Sequence, residues 1–73
     1  MLVLRPIADF TPVSPGLTYY VQDESGQSKI SVLVVDGDSI KAKIIDIVHG
    51  SGFKSKAKDD AVTVTRAMLH VST

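Results

Sequence analysis

Lys29-Ile30-Ser31-Val32-Leu33-Val34-Val35-Asp36-Gly37-Asp38-Ser39-Ile40-Lys41-Ala42-Lys43-Ile44 is the stretch on which the fold turns. Its first seven residues are rich in β-branched side chains, which suit a pleated, half-buried surface. Ile30, Val32 and Val34 fall on one face of an extended chain, and Leu33 and Val35 on the other. Two apolar faces predict a central strand, or one covered by a partner through β-augmentation. Asp36-Gly37-Asp38-Ser39 carries the Asp-Gly signal of a tight hairpin. Beyond it, residues 40–44 alternate strictly, so that Lys41 and Lys43 project away from a core formed by Ile40, Ala42 and Ile44.

The same region also has a helical reading. Ile40, Ile44, Ile47 and Val48 stand at i, i+4, i+7 and i+8, with Ser39 as an N-cap and Gly50 as a stop. Four isoleucines and the hairpin signal just upstream favour the strand. Outward from here, Asp23-Glu24-Ser25-Gly26-Gln27 reads as a polar turn, and residues 17–21 before it as another strand. Two prolines and a glycine in Thr11-Pro12-Val13-Ser14-Pro15-Gly16 forbid both helix and central strand. A weaker break runs from His49 to Asp60, and residues 61–65 are again strongly β. Residues 66–71 either continue that strand or curl into a short helix.

The expected fold is therefore mainly β. It is a small antiparallel sheet, or a partly open barrel of SH3-like or OB-like size, with four to five strands. The α+β alternative lays one short helix across the sheet. At 73 residues the chain makes one domain, since a second core would bury too little apolar surface. With no cysteine, disulfide scaffolds, redox pairs and thiolate zinc sites are excluded, and two histidines are too few for a histidine cage. No cofactor is implied. The amino-terminal apolar run is cut by Arg5 and Pro6 and lacks a basic leader, and no run approaches the ~20 residues of a spanning helix. The expectation is a cytoplasmic protein that does not enter membranes.

Motifs with chemistry are few. Asp36-Gly37-Asp38 begins like a calcium loop, but Lys41 and Ile47 stand where glycine and glutamate are required. His49-Gly50-Ser51-Gly52-Phe53-Lys54-Ser55 has the composition of a phosphate loop without its spacing, and only a weak anion-binding role for its N–H groups survives. His49 and His70 belong to no nucleophile–base–acid constellation, and Asp59-Asp60 reads as a turn or a helix start rather than a carboxylate pair. The expectation is a protein that is not an enzyme.

Binding residues are easier to nominate. Lys54, Lys56 and Lys58 alternate, so an extended chain would point them the same way, with Lys41 and Lys43 upstream and Phe53 as the neighbouring aromatic. Tyr19-Tyr20 on a strand sends one ring inward and offers the other as a contact anchor. Eight acids balance eight bases, which argues against an indiscriminate polyanion binder. The balance hides a division along the chain. Residues 1–40 hold Arg5 and Lys29 against Asp9, Asp23, Glu24, Asp36 and Asp38, a net −3, while residues 41–73 carry a net +3. If folding keeps the halves apart, a partner of matching pattern is steered in.

These features point to a non-enzymatic interaction module, a small adaptor or inhibitor that docks on a larger protein with an acidic surface. Short cysteine-free domains of this kind often serve as regulators encoded by phages or mobile elements and bind a host enzyme, an argument from class alone. The alternative is a small barrel that binds nucleic acid through Lys41, Lys43, Lys54, Lys56 and Lys58 with Phe53. A third reading is a homo-oligomer protomer with residues 30–35 at a symmetric interface.

Overall fold

The computed structural model describes residues 2–73. Six strands form one antiparallel sheet: β1 (Leu4–Pro6), β2 (Thr18–Asp23), β3 (Gly26–Asp36), β4 (Ser39–Gly50), β5 (Ala61–Thr65) and β6 (His70–Ser72), in the order β1-β6-β2-β3-β4-β5. The mainly β expectation holds, and residues 40–48 are strand. The count exceeds the expected four to five because three-residue strands flank both chain ends. Residues 66–71 do not continue the strand of residues 61–65, which ends at Thr65. Arg66–Met68 is a 3₁₀ turn, and the chain then resumes as β6.

The two tight hairpins form where the turn residues demanded them. Asp36 pairs with Ser39, leaving Gly37 and Asp38 as a two-residue loop with a positive φ at Gly37 alone. That is the pattern in which glycine occupies the first central position, and it matches the twist of the strands it joins. Asp23 pairs with Gly26, and the Asp23 carboxylate closes this turn by accepting the N–H groups of Ser25 (2.9 Å) and Gly26 (3.3 Å).

The long hairpin β3–β4 is irregular, and its irregularities shape the molecule. Val32 faces Ala42 while Val34 faces Lys41, so Leu33 is an extra residue in β3. In β4, Ile45 and Val48 are likewise passed over, since Ile30 faces Ile44, Lys29 faces Asp46, Ser28 faces Ile47 and Gln27 faces His49. Each bulge bends the strand and increases its twist. Closure is enforced by the chain itself. A flat sheet would set β5 and β6 four spacings apart, or ~19 Å. The four residues 66–69 that join them, largely in a 3₁₀ turn, span only ~10 Å. The sheet must therefore roll into a partly open barrel.

The bulge at Leu33 corrects one expectation. Ile30 and Val32 point inward, but Val34 is turned out and Val35 packs against the core instead. As far as Val32, β3 is hydrogen-bonded on both sides, to β4 and to β2 or the residues just before it, so that part offers no free edge for an added strand, and Ile30 and Val32 are buried in the core of their own chain. The core joins these residues to Tyr19, Val21, Ile40, Ala42, Ile44, Phe53, Val62, Val64 and Leu69. The alternation of residues 40–44 holds, with both lysines exposed.

The glycine pair at the far end of this hairpin is a packing requirement. Gly26 faces Gly50, and a Cβ on Gly26 would collide with the carbonyl oxygen of His49. The close approach brings Ser51 N–H to Ser25 O (3.0 Å), which seats the β4–β5 loop against the β2–β3 turn.

Candidate functional site

The cross-strand registers define the outer face of the sheet. One row runs Thr18, Ser31, Lys43, Ala61; a second Tyr20, Lys29, Asp46; a third Val34, Lys41, Thr63. Lys41, Lys43 and Tyr20 thus share one surface, as residues of alternating strands should. The Lys29 ammonium lies 5.8 Å from the centroid of the Tyr20 ring, a cation–π contact on that surface. Tyr19 points the other way, 7% exposed in the core, with its hydroxyl donating to Pro12 O (3.4 Å). The division of the tyrosine pair is the one its strand position implies. Tyr19 is thereby withdrawn from the outer face of the sheet.

Phe53 is likewise withdrawn from the candidate surface. Its residue exposure is 0%, and its N–H donates to the buried Ser28 Oγ at 2.7 Å. It supports the core, so it offers no ring for stacking bases or anchoring a partner. Lys54 and Ser55 adopt φ values of 51° and 55°, which folds the chain into a turn instead of an extended run. The lysines at 54, 56 and 58 are exposed but do not lie along one extended face. The Lys54 ammonium lies 5.4 Å from the Phe53 ring centroid and covers it.

The loop after β4 is no anion cradle. Its N–H groups are used within the chain: Ser51 to Ser25 O, Gly52 to His49 O, Phe53 to Ser28 Oγ, Lys54 to Asp23 Oδ2, Ser55 to Gly52 O and Lys56 to Phe53 O. The Asp23 carboxylate sits where a bound anion would, at 2.9 Å from the Lys54 nitrogen. Asp59-Asp60 is a turn, with Asp60 Oδ2 accepting Ala57 N–H and Asp59 paired to Lys43 at 3.6 Å. His70 Nδ1 lies 2.8 Å from Met68 O, and His49 is exposed at the end of β4.

Charges of the two chain halves are interleaved in space. Lys29 faces Asp46 across the β3–β4 ladder, the Asp23 carboxylate accepts the Lys54 backbone N–H, the Arg66 guanidinium reaches Asp9 O, and the Arg66 backbone N–H bonds Asp38 O, so residues of opposite charge from the two halves lie side by side. The division along the chain does not become two poles.

Two features escaped the sequence reading. Leu33 and Val34, 48% and 49% exposed, form an apolar ledge in register with Lys41. Leu17, 42% exposed, lies just before β2, where its carbonyl accepts the Val32 N–H at 2.9 Å. Phe10, on the loop between β1 and β2, is 89% exposed beside a shallow groove of ≈ 440 Å³ bounded by Arg5, Tyr19 and Val71. Only the bulge, which alternation cannot reveal, turns Val34 outward. Among the described residues no helix is long and apolar enough to cross a membrane, and no three metal-ligating side chains cluster. Comparison with protein-family models, with curated proteins and with solved structures returned no match.

Proposed function

We propose that the chain is a non-enzymatic docking module that seats on a larger protein through the outer face of β2, β3 and β4. The observation that carries the reading is the bulge at Leu33. It turns Leu33 and Val34 to solvent and places Lys41 directly across from Val34. An apolar contact rimmed by cations suits a partner surface with an apolar centre and an acidic margin. Tyr20, Lys29 and Lys43 extend the same surface. In this role the protein works in the cytoplasm as a small adaptor or inhibitor of a host enzyme or assembly, in the manner of regulators from phages and mobile elements.

Nucleic acid is the competing ligand, and it is disfavoured by the burial of Phe53 and by Asp46 and Asp59 beside the lysines. Immobilised wild-type chain and the Leu33→Asp/Val34→Asp variant are compared in capture from cells of the native host. The expected result is a discrete protein retained by wild type and lost with the variant. Retention of nucleic acid alone, with a salt-dependent affinity that falls on Lys41→Glu, would overturn the reading.

A further inference from the structure

The sheet has two edge strands, and they differ in how they meet solvent. On β1, Thr73 N–H binds Val3 O and Ile7 N–H binds Leu69 O, so residues 3, 5 and 7 face β6. The free edge there is left to Leu4 and Pro6, and Pro6 has no N–H to offer. That edge is blunted.

On β5 the opposite holds. Arg66 N–H binds Asp38 O (3.3 Å), Ile44 N–H binds Asp60 O (2.9 Å), and Ile40 and Ala42 face Val64 and Val62. The even-numbered peptides of β5 therefore turn to β4, and alternation directs the N–H and C=O groups of Ala61, Thr63 and Thr65 away from it. Among the described residues no other strand pairs with β5. Ala61-Val62-Thr63-Val64-Thr65 carries no proline, lysine or internal bulge, the usual guards of an open edge.

We infer that β5 pairs with β5 of a second copy of this chain, antiparallel and centred on Thr63. The sequence around that centre is reciprocal. Thr63 meets Thr63, and Ala61 meets Thr65, so N–H and C=O groups match on both sides. No charge falls within the paired strands. One step further, Asp60 lies opposite Arg66 of the other copy, and the symmetry makes this contact twice. Among the described residues the Arg66 guanidinium is engaged through Nε, with Asp9 O (3.2 Å), and the Asp60 carboxylate through Oδ2, with Ala57 N–H. Beside Thr65 and Arg66 the surface opens into a groove of ≈ 390 Å³ against Pro6 and Asp9. The pairing brings the small Ala61 of the copy to that place. Charge complementarity and this gap select a second copy over an unrelated extended peptide.

The test is sedimentation equilibrium of the wild-type chain between about 10 µM and about 1 mM, with amide hydrogen exchange at both ends of the range. The expected result is a monomer–dimer equilibrium in which Ala61, Thr63 and Thr65 gain protection as dimer forms. Thr63→Pro, which removes a free-edge N–H without breaking the β4 ladder, is expected to weaken association by about tenfold or more. Asp60→Lys and Arg66→Glu each weaken it, and the double variant recovers it. Circular dichroism checks that each variant is folded. If one is not, the wild-type exchange data decide alone. A monomer at about 1 mM overturns the inference. A dimer with residues 61, 63 and 65 unprotected, or one indifferent to Thr63→Pro, does the same, as does capture of an unrelated extended peptide by a monomeric chain.

Discussion

Phe53 is fully buried in the core although it sits between a glycine and a run of lysines. Its place depends on Ser28, which precedes it by 25 residues and takes its N–H at 2.7 Å. No local pattern announces such a contact, which is why the residue reads as a surface aromatic from sequence. Phe53→Ala should cost about 3–5 kcal/mol in urea unfolding, the range for emptying a buried aromatic site. Ser28→Ala leaves the Phe53 N–H buried without an acceptor and should cost about 1–3 kcal/mol. Lys56→Ala, on the exposed loop, should stay within about 0.5 kcal/mol, and a large loss there would mean the loop packs otherwise than described. Gly26 is the other strict position. Its Cβ would meet the His49 carbonyl oxygen and Gly52 N, so Gly26→Ala forces the hairpin end apart and should destabilise by about 2–4 kcal/mol in the same assay. The turn there was legible from sequence, while the close approach of Gly26 to Gly50 was not.

Among the elements, the β3–β4 hairpin shows which parts of the fold the residues announce. The turn at Gly37-Asp38 and the alternation over residues 40–44 were legible, because both rest on neighbours in the chain. The bulges were not, and they account for the helical reading of residues 40–48. A regular strand that buries Ile40, Ala42 and Ile44 would next bury residue 46. The bulge at Ile45 shifts the inward position to Ile47, which packs against the core. The spacing of Ile40, Ile44 and Ile47 then imitates a helical stripe. The bulge at Leu33 has the matching effect in β3, turning Val34 out and Val35 in. Leu33→Asp and Val34→Asp should therefore each cost no more than about 1–2 kcal/mol and leave the chain folded, since about half of each side chain already faces solvent and the rest of the cost is the poor strand propensity of Asp. Val32→Asp, one residue away, places an unpaired carboxylate in the core and should leave the chain unfolded by circular dichroism. Loss of fold with Val34→Asp would return that side chain to the interior and remove the ledge on which the docking proposal rests.

At the scale of the whole molecule, two properties follow from how the strands are ordered. The division of charge along the chain is lost on folding, because β3 and β4 lie side by side and set Lys29 against Asp46. Long-range steering by a charge dipole is thus weaker than the chain halves imply, and recognition falls to the local pattern on the outer face. The second property concerns folding. β2–β3 and β3–β4 are local hairpins, whereas β6 pairs with β1 and β2 from the far end of the chain. Leu4 meets Ser72, and Thr73 donates both its N–H and its hydroxyl to Val3 O. Closing a loop of nearly the full chain is entropically costly before its contacts form. Folding should accordingly be slow for the size, in milliseconds to seconds, with the β3–β4 hairpin formed first and the β1–β6 pairing last. Stopped-flow measurements separate the two. Gly37→Val strains the hairpin turn and should lower the folding rate with little change in unfolding. Leu4→Ala weakens only the late pairing and should act on the unfolding rate. If Leu4→Ala slowed folding as much as Gly37→Val, the chain ends would already be joined at the transition state, and closure of the barrel rather than the central hairpin would nucleate the fold.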